Sequence, residues 1–291
     1  MSDHKLKFLT KLGVGTLSAA IIAGGILPGV GHAQSTNNQI SSIAKTYSQN
    51  LNEDSTSDDL MNVLKSLEVS TLTDSWSDSD KIELLEDILS EVPEDVLEQY
   101  QIDKMVEING VLSNDLYVNS EIAQTIKLND GSVVALSSTD EEDGDSGSVE
   151  SIIPAKQGKS AGSIEMGPYI SETKAYGNRL YTAWVKLKSL GVTVATLKLG
   201  NHYSVGTYGL KMRYADVAGT NGSALSDVSA TAEVTDPKAE QVGYDMNAKG
   251  TYKLTGYLNN GYISLVSTIK LISWNKTNES VYVQQSYKYT D

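Results

Sequence analysis

The 291-residue chain contains no cysteine, one phenylalanine, five prolines and three histidines. Without cysteine there can be no disulfide, no lipid-modified N-terminal cysteine and no thiolate metal site. Two of the histidines, His4 and His32, fall in the first 33 residues, so His202 is the one histidine beyond them. Histidine-rich zinc centres and Ser-His-Asp or Cys-His nucleophile systems therefore lack parts. After residue 33 no apolar run approaches the length of a membrane-spanning helix.

What is present begins with a leader. Lys5, Lys7 and Lys11 precede an apolar segment over residues 12–30, which exits through Gly31, His32 and Ala33 with Pro28 just upstream. This is the form of a secretory signal peptide, with cleavage expected after Ala33. An uncleaved anchor is the competing reading, because residues 12–33 are long enough to span a bilayer as a helix. The glycines and the small exit residues favour cleavage. A cysteine-free secreted chain held by its core alone suits a Gram-positive bacterium, so the expected location is extracellular.

The formal net charge of -14 conceals two electrical halves. Residues 34–150 hold 26 Asp and Glu against 5 Lys and Arg, whereas residues 151–291 hold 10 against 15. The change of sign falls in residues 137–162, which open on the acidic run 139–145 and close on a glycine-spaced run containing Lys156 and Lys159. The expected organisation is a signal peptide (1–33), an acidic helical region with a short hairpin that could serve as a pro-region (34–136), a flexible linker (137–162) and a basic, tyrosine-rich β domain (163–291). Lys156 and Lys159 are candidate processing points on such a linker.

In the acidic half, Leu60, Met61, Val63, Leu64 and Leu67 recur at helical spacing behind a Ser/Thr/Asp cluster, which predicts a helix over 58–68. A second helix is expected after Asp80, with Glu83 as its capping partner and Ile82, Leu85, Ile88, Leu89 and Val92 on one face. Pro93 suits the first position of a third helix, carrying Val96, Leu97 and Tyr100. Residues 34–52 are at best helical. Residues 106–136 read as strand formers, with Asn129-Asp130-Gly131 as a hairpin turn. The acid clusters at 74–83 and 140–145 do not reproduce the spacing of a calcium loop, and capping or solubility explains them.

The basic half carries 13 of the 16 tyrosines and two of the three tryptophans. Leu210, Met212 and Tyr214 alternate with Lys211 and Arg213, and Tyr252 and Leu254 alternate with Lys253, the period of a half-buried strand. Further runs lie at 181–187, 192–199, 228–234, 263–274 and 281–289, with 263–272 expected as a central strand. About seven strands without helical interludes point to an antiparallel β-sandwich or small barrel, making the whole chain α+β. A sheet face bearing Lys186, Lys188, Lys198, Lys211, Arg213 and Lys253 beside exposed tyrosines suits an anionic envelope polymer or a membrane surface. Nucleic acid ranks last among such partners, since the chain is expected to be exported. For any one lysine, solubility and edge protection are sufficient reasons.

Several fragments imitate catalytic motifs. Gly144-Asp145-Ser146-Gly147 matches the stretch around a trypsin-like serine, but no histidine precedes it after the leader. Gly158-Lys159-Ser160-Ala161-Gly162 fits G-x-S-x-G without a strand and helix around it. His202, after a Gly-Asn pair, reads as a turn or surface residue. No catalytic, cofactor-binding or metal-binding residue is assigned, and a carboxylate-only hydrolase is the remaining enzymatic alternative.

Two blocks, residues 190–199 followed by His202-Tyr203-Ser204-Val205 and residues 244–258, resemble strand blocks of small secreted β proteins of Gram-positive bacteria, among them large unmodified bacteriocins. The resemblance covers about the last 110 residues and transfers no functional residue. It implies a bacteriocin-like antibacterial protein acting at the cell envelope, without enzymatic activity. On this reading the acidic half contacts and masks the basic one, to which a linker holds it at high effective concentration. The alternative is a non-toxic wall-polymer or glycan module with Trp184 or Trp274 as stacking platforms, although either ring is equally at home in a β core.

Overall fold

The computed structural model describes residues 32–70, 73–113, 124–143, 170–219 and 224–289, and among them four helices precede all eleven strands. The expected leader residues 1–31 lie outside the described residues, as do Lys156, Lys159 and the motif look-alikes at 144–147 and 158–162. Ala33 falls in the first turn of α1 (His32–Ser48). Among the described residues no helix is long and apolar enough to cross a membrane.

Two helices start from reciprocal caps, in which a hydroxyl accepts a free backbone N–H and the third helical residue returns the favour. Before α2 (Ser57–Glu68), the Thr56 hydroxyl accepts the Asp59 N–H and the Asp59 carboxylate accepts the Thr56 N–H. Before α3 (Asp78–Ser90), Ser77 and Asp80 do the same. The expected Asp80–Glu83 box is thus displaced by one turn: Asp80 is the reciprocating acid and Ser77 the cap. α4 (Glu94–Ser113) follows Pro93 as expected but continues through residues expected to be strand. Met105, Ile108 and Leu112 explain the extension, because their spacing puts all three on the buried side.

The eleven strands form two antiparallel sheets. The first has the order β1 (Gln124–Lys127), β2 (Val133–Glu142), β4 (Gly177–Ser189), β5 (Val192–Gly206), β6 (Gly209–Gly219) and β8 (Lys238–Ala239). The second has β3 (Ile170–Ala175), β11 (Ser280–Tyr289), β10 (Gly261–Asn275), β9 (Asp245–Thr255) and β7 (Asp227–Asp236). The fold is α+β, and among the described residues the sheets do not close into a barrel. The long apolar run 263–272 lies in β10, at the centre of the second sheet. Asn129-Asp130-Gly131 does form the β1–β2 turn.

Strand β2 corrects the expected linker. Residues 133–142 pair with β4 in unbroken register, from Val133 opposite Lys188 to Glu142 opposite Arg179. The acidic run from Thr139 to Glu142 is therefore sheet. Alternation turns Val134, Leu136, Ser138 and Asp140 inward, so the strand begins apolar and ends polar inside the protein.

The sheets face each other through two apolar clusters. One joins inward residues of both sheets, such as Val185, Leu197, Tyr252 and Leu265, to the buried faces of the helices. The other lies between the sheets alone, around Tyr203, Met212, Ile269 and Val283. Asn201 and Ser267 are fully buried and donate in sequence, Ser267 Oγ to Asn201 Oδ1 at 2.8 Å and Asn201 Nδ2 to the Tyr181 carbonyl at 3.0 Å. Buried polar groups satisfied in this way hold the facing strands in one register.

Candidate binding face and its charged seam

The outer surface of the first sheet gathers most of the expected basic residues. Outward positions alternate with the inward series, which places Lys186 and Lys188 on β4, Lys198 on β5 and Lys211 on β6 on one face. Exposed Arg213 follows at the bulge between His202 and Tyr203 in the β5–β6 register. Lys253 is a correction: it points out of β9, on the outer surface of the second sheet, because Tyr252 and Leu254 point in. Lys127, not singled out from sequence, joins the first face, in a row with Val133 and Lys188.

The faces differ less in their number of cations than in what stands opposite them. On the second sheet Lys249 is in register with Glu233 and Lys270 with Asp245, so cross-strand acids offset these two, while Lys253 faces Ser229 and Tyr262. On the first, Lys186 faces Ala135 and Thr196, Lys188 faces Val133 and Thr193, and Lys198 faces Trp184 and Ala218. Neither these three lysines nor Lys249, Lys253 and Lys270 make an ion pair among the described residues, so the difference between the faces is one of register. Trp184 is half-buried on this surface. Trp274 is half-buried elsewhere, with its indole N–H donating to the Tyr176 hydroxyl at 2.9 Å and Lys276 over its ring.

At the β6–β8 edge the face becomes concave. A shallow depression of about 450 Å3 is bounded by Tyr208, Lys211, Arg213, Lys238 and Glu240, with Asn178 and Ser204 also lining it. A smaller one, sharing Lys238 and Glu240, continues to Tyr244. Tyr208 and Tyr244 are 45% and 57% exposed. Both are held on bonded backbone. Tyr208 sits in the β5–β6 turn, its ring so close over Gly206 that a Cβ there would meet ring carbon Cε1 at 2.7 Å. Gly209 closes the turn at φ +91° against the Ala239 carbonyl, a conformation that favours glycine. Tyr244 ends a loop tied to β10 at one residue, by Gly243 N–H to the Leu271 carbonyl and Leu271 N–H to the Tyr244 carbonyl.

Behind the groove lies a charged seam. His202 is a mid-strand residue, not part of a turn, and both of its ring nitrogens face carboxylates. Nδ1 is 2.8 Å from Asp143, and Nε2 is 3.3 Å from Asp216 Oδ1 without the alignment of a hydrogen bond. The ring stacks on Tyr214 at 4.0 Å between centroids, and the Arg213 guanidinium also bonds Asp143. Deeper in, Asp140 accepts from Arg179 Nε at 2.8 Å, from the Tyr203 hydroxyl at 2.6 Å and from Gln285, with Lys174 at 3.5 Å from the opposite sheet. Burial pushes the Tyr203 phenol well above its ordinary range, and the Asp140 charge adds to the shift, so the phenol stays a donor. Burial opposes the Arg179 charge, but Asp140 more than restores it and raises the pKa.

Of the acids expected to serve solubility, Asp140 and Asp143 are thus partners for cations of the other half. Among the described residues no group of three or more His, Asp or Glu side chains is arranged to hold a metal. Sequence reasoning missed Tyr208, Tyr244 and Lys238, which come from three separate segments; the Gly206-Thr207-Tyr208-Gly209 hairpin signature could have flagged the first. No protein-family model, curated protein or solved structure matches this chain.

Proposed function

We propose that the chain is an exported, non-catalytic protein that binds an anionic polymer of a bacterial envelope through the outer face of its first sheet. The observation that carries this reading is the row of lysines at 186, 188 and 198, brought to one face with no acid opposite them in register. Uncompensated charge on a rigid sheet raises the local concentration of polyanions and steers their approach. The leader-like residues 5–33 support export. Binding is favoured over catalysis because the little-exposed carboxylates Asp130, Asp140 and Asp143 are each engaged by a cation.

The acidic half enters as part of the binding scaffold. Its β1–β2 hairpin is built into the sheet that carries the lysines, and its helices close one end of the stack through inward-facing residues. The face is tested by measuring binding of the full chain to teichoic-acid-bearing walls across a salt series. Wild type is expected to bind at low salt and weaken as salt rises, and Lys186→Gln/Lys188→Gln/Lys198→Gln to lose about tenfold or more at low salt. The same loss from Lys249→Gln/Lys253→Gln/Lys270→Gln would sink the assignment to this face. A growth-inhibition spot test with the purified protein separates an antibacterial outcome from simple wall binding.

A further inference from the structure

The groove at the β6–β8 edge differs from the rest of the face in carrying two rings as well as cations. A flat lysine row attracts any polyanion and selects little among them. Tyrosine rings presented on rigid backbone offer large, low-entropy contact surfaces for the flat faces of ligand rings, while their hydroxyls stay available for hydrogen bonds. Tyr208 is pressed onto Gly206, and the Tyr244 backbone is bonded to Leu271 of β10 and to the Gln241 carbonyl, so neither segment must be ordered on binding. Lys211, Arg213 and Lys238 line the larger depression with Tyr208, and Lys238 is shared with the smaller one that Tyr244 lines.

The cations here are not equivalent. Lys238 is paired with Glu240 at 3.3 Å on the surface, where a ligand anion can exchange for the carboxylate at small cost. Arg213 is held by Asp143, which is itself bonded to His202, so its planar donor set is oriented before a ligand arrives. Lys211 forms no ion pair among the described residues. A volume of about 450 Å3 is within the range of small-ligand sites, and its open form suits one stretch of a longer chain.

Resting on the reading of the sheet face as a polyanion surface, we infer that this groove is its selective subsite and takes an acidic polysaccharide, a chain in which saccharide rings bear carboxylates. Tyr208 and Tyr244 receive ring faces, Lys211, Arg213 and Lys238 meet the carboxylates, and Asp143 acts as a positioning residue for Arg213.

The test is binding of the full chain to three probes by biolayer interferometry: polygalacturonate, which has rings and carboxylates; poly-γ-glutamate, which has carboxylates without rings; and neutral dextran. Wild type is expected to prefer polygalacturonate over both. Tyr208→Ser/Tyr244→Ser is expected to lose about tenfold or more on polygalacturonate while leaving poly-γ-glutamate unchanged. Tyr208→Phe/Tyr244→Phe keeps both rings and is expected to keep most of the preference, which separates ring loss from a disturbed turn. If wild type binds both acidic polymers and the serine variant loses nothing, the subsite is wrong while the sheet-face reading stands. If wild type binds neither acidic polymer, the sheet-face reading itself is overturned, and the subsite with it.

Discussion

Asp130 and Asp140 are two carboxylates from one acidic stretch, buried to nearly the same depth, with side-chain exposures of 3% and 4%. Their partners come from opposite parts of the chain. Asp130 at the β1–β2 turn takes Lys104 at 2.7 Å and the Tyr100 hydroxyl at 2.8 Å, both from α4, together with Ser132. Asp140 takes Arg179, Tyr203, Gln285 and Lys174, all from the basic half and from both sheets. The first node can form once a helix meets a hairpin, whereas the second needs contacts up to 145 residues apart. The seam between the two electrical halves therefore runs along β2 itself, and the border in charge is not a border in the fold.

Removing the Asp140 charge should have the largest effect. Asp140→Ala leaves Arg179 without its carboxylate partner and Lys174 with only the more exposed Glu172, and stranding a buried charge costs about 3–5 kcal/mol. Urea denaturation of the variant is expected to show a loss of that order. Asp140→Ala combined with Lys174→Met removes one stranded cation and should recover part of it. If Asp140→Ala cost less than about 1 kcal/mol, the seam would be a surface feature and its contrast with exposed pairs would disappear.

Asp130 supplies the next contrast, in its response to pH. Burial opposes its charge, but Lys104, Ser132 and Tyr100 more than compensate and hold its pKa down at about 2. A carboxyl whose folded pKa lies below its unfolded value contributes stability above the unfolded value, here near 3.8, and loses it as pH falls through about 2. The expected loss is about 2 kcal/mol between pH 4 and pH 2. Glu68 and Glu107 act with the opposite sign, since burial raises both, so protonating them relieves a cost as pH falls. In chemical denaturation across pH, Asp130→Asn should start less stable at neutral pH and lose the component of the acid slope between pH 4 and 2. An unchanged slope would show that Asp130 does not govern this end of the protein.

What was legible in the sequence follows from how far each signal reaches. Ser and Thr caps act over three residues, and α2 and α3 were visible for that reason, one of them displaced by a turn. Apolar alternation made β4, β5, β6, β9, β10 and β11 readable. Where inward positions are polar the period vanishes: the second half of β2 turns Ser138 and Asp140 inward and β3 turns Lys174 inward, so residues 137–142 read as linker after a hairpin strand ending at Leu136, and β3 went unseen. β8 spans two residues and has no pattern of its own. The lysine face was half legible, because alternation indicates which residues point outward together along one strand but not which sheet a strand joins. That limit separated Lys253 from the others. Of the groove only Lys211 and Arg213 were legible, since Tyr208, Lys238 and Tyr244 come together only through pairing of β6 with β8 and a loop tied to β10.

Asp143 provides the smallest and most discriminating contrast. It continues the same acidic run but is 15% exposed, and its partners His202 and Arg213 are 12% and 27% exposed. Water reaches this pair, so its attraction is screened by salt in a way the interior node is not. Asp143→Asn should cost about 1 kcal/mol or less at low ionic strength. That cost should shrink further in high salt, whereas the penalty for Asp140→Ala should hardly change. Paired denaturation curves at low and high sodium chloride decide the matter. Equal salt sensitivity in the two variants would mean that the seam has one electrostatic environment from Asp140 to Asp143. Unequal sensitivity would establish a gradient along three residues of a single strand end, from a structural interior to a wet rim where Arg213 is oriented but still open to exchange with a ligand anion.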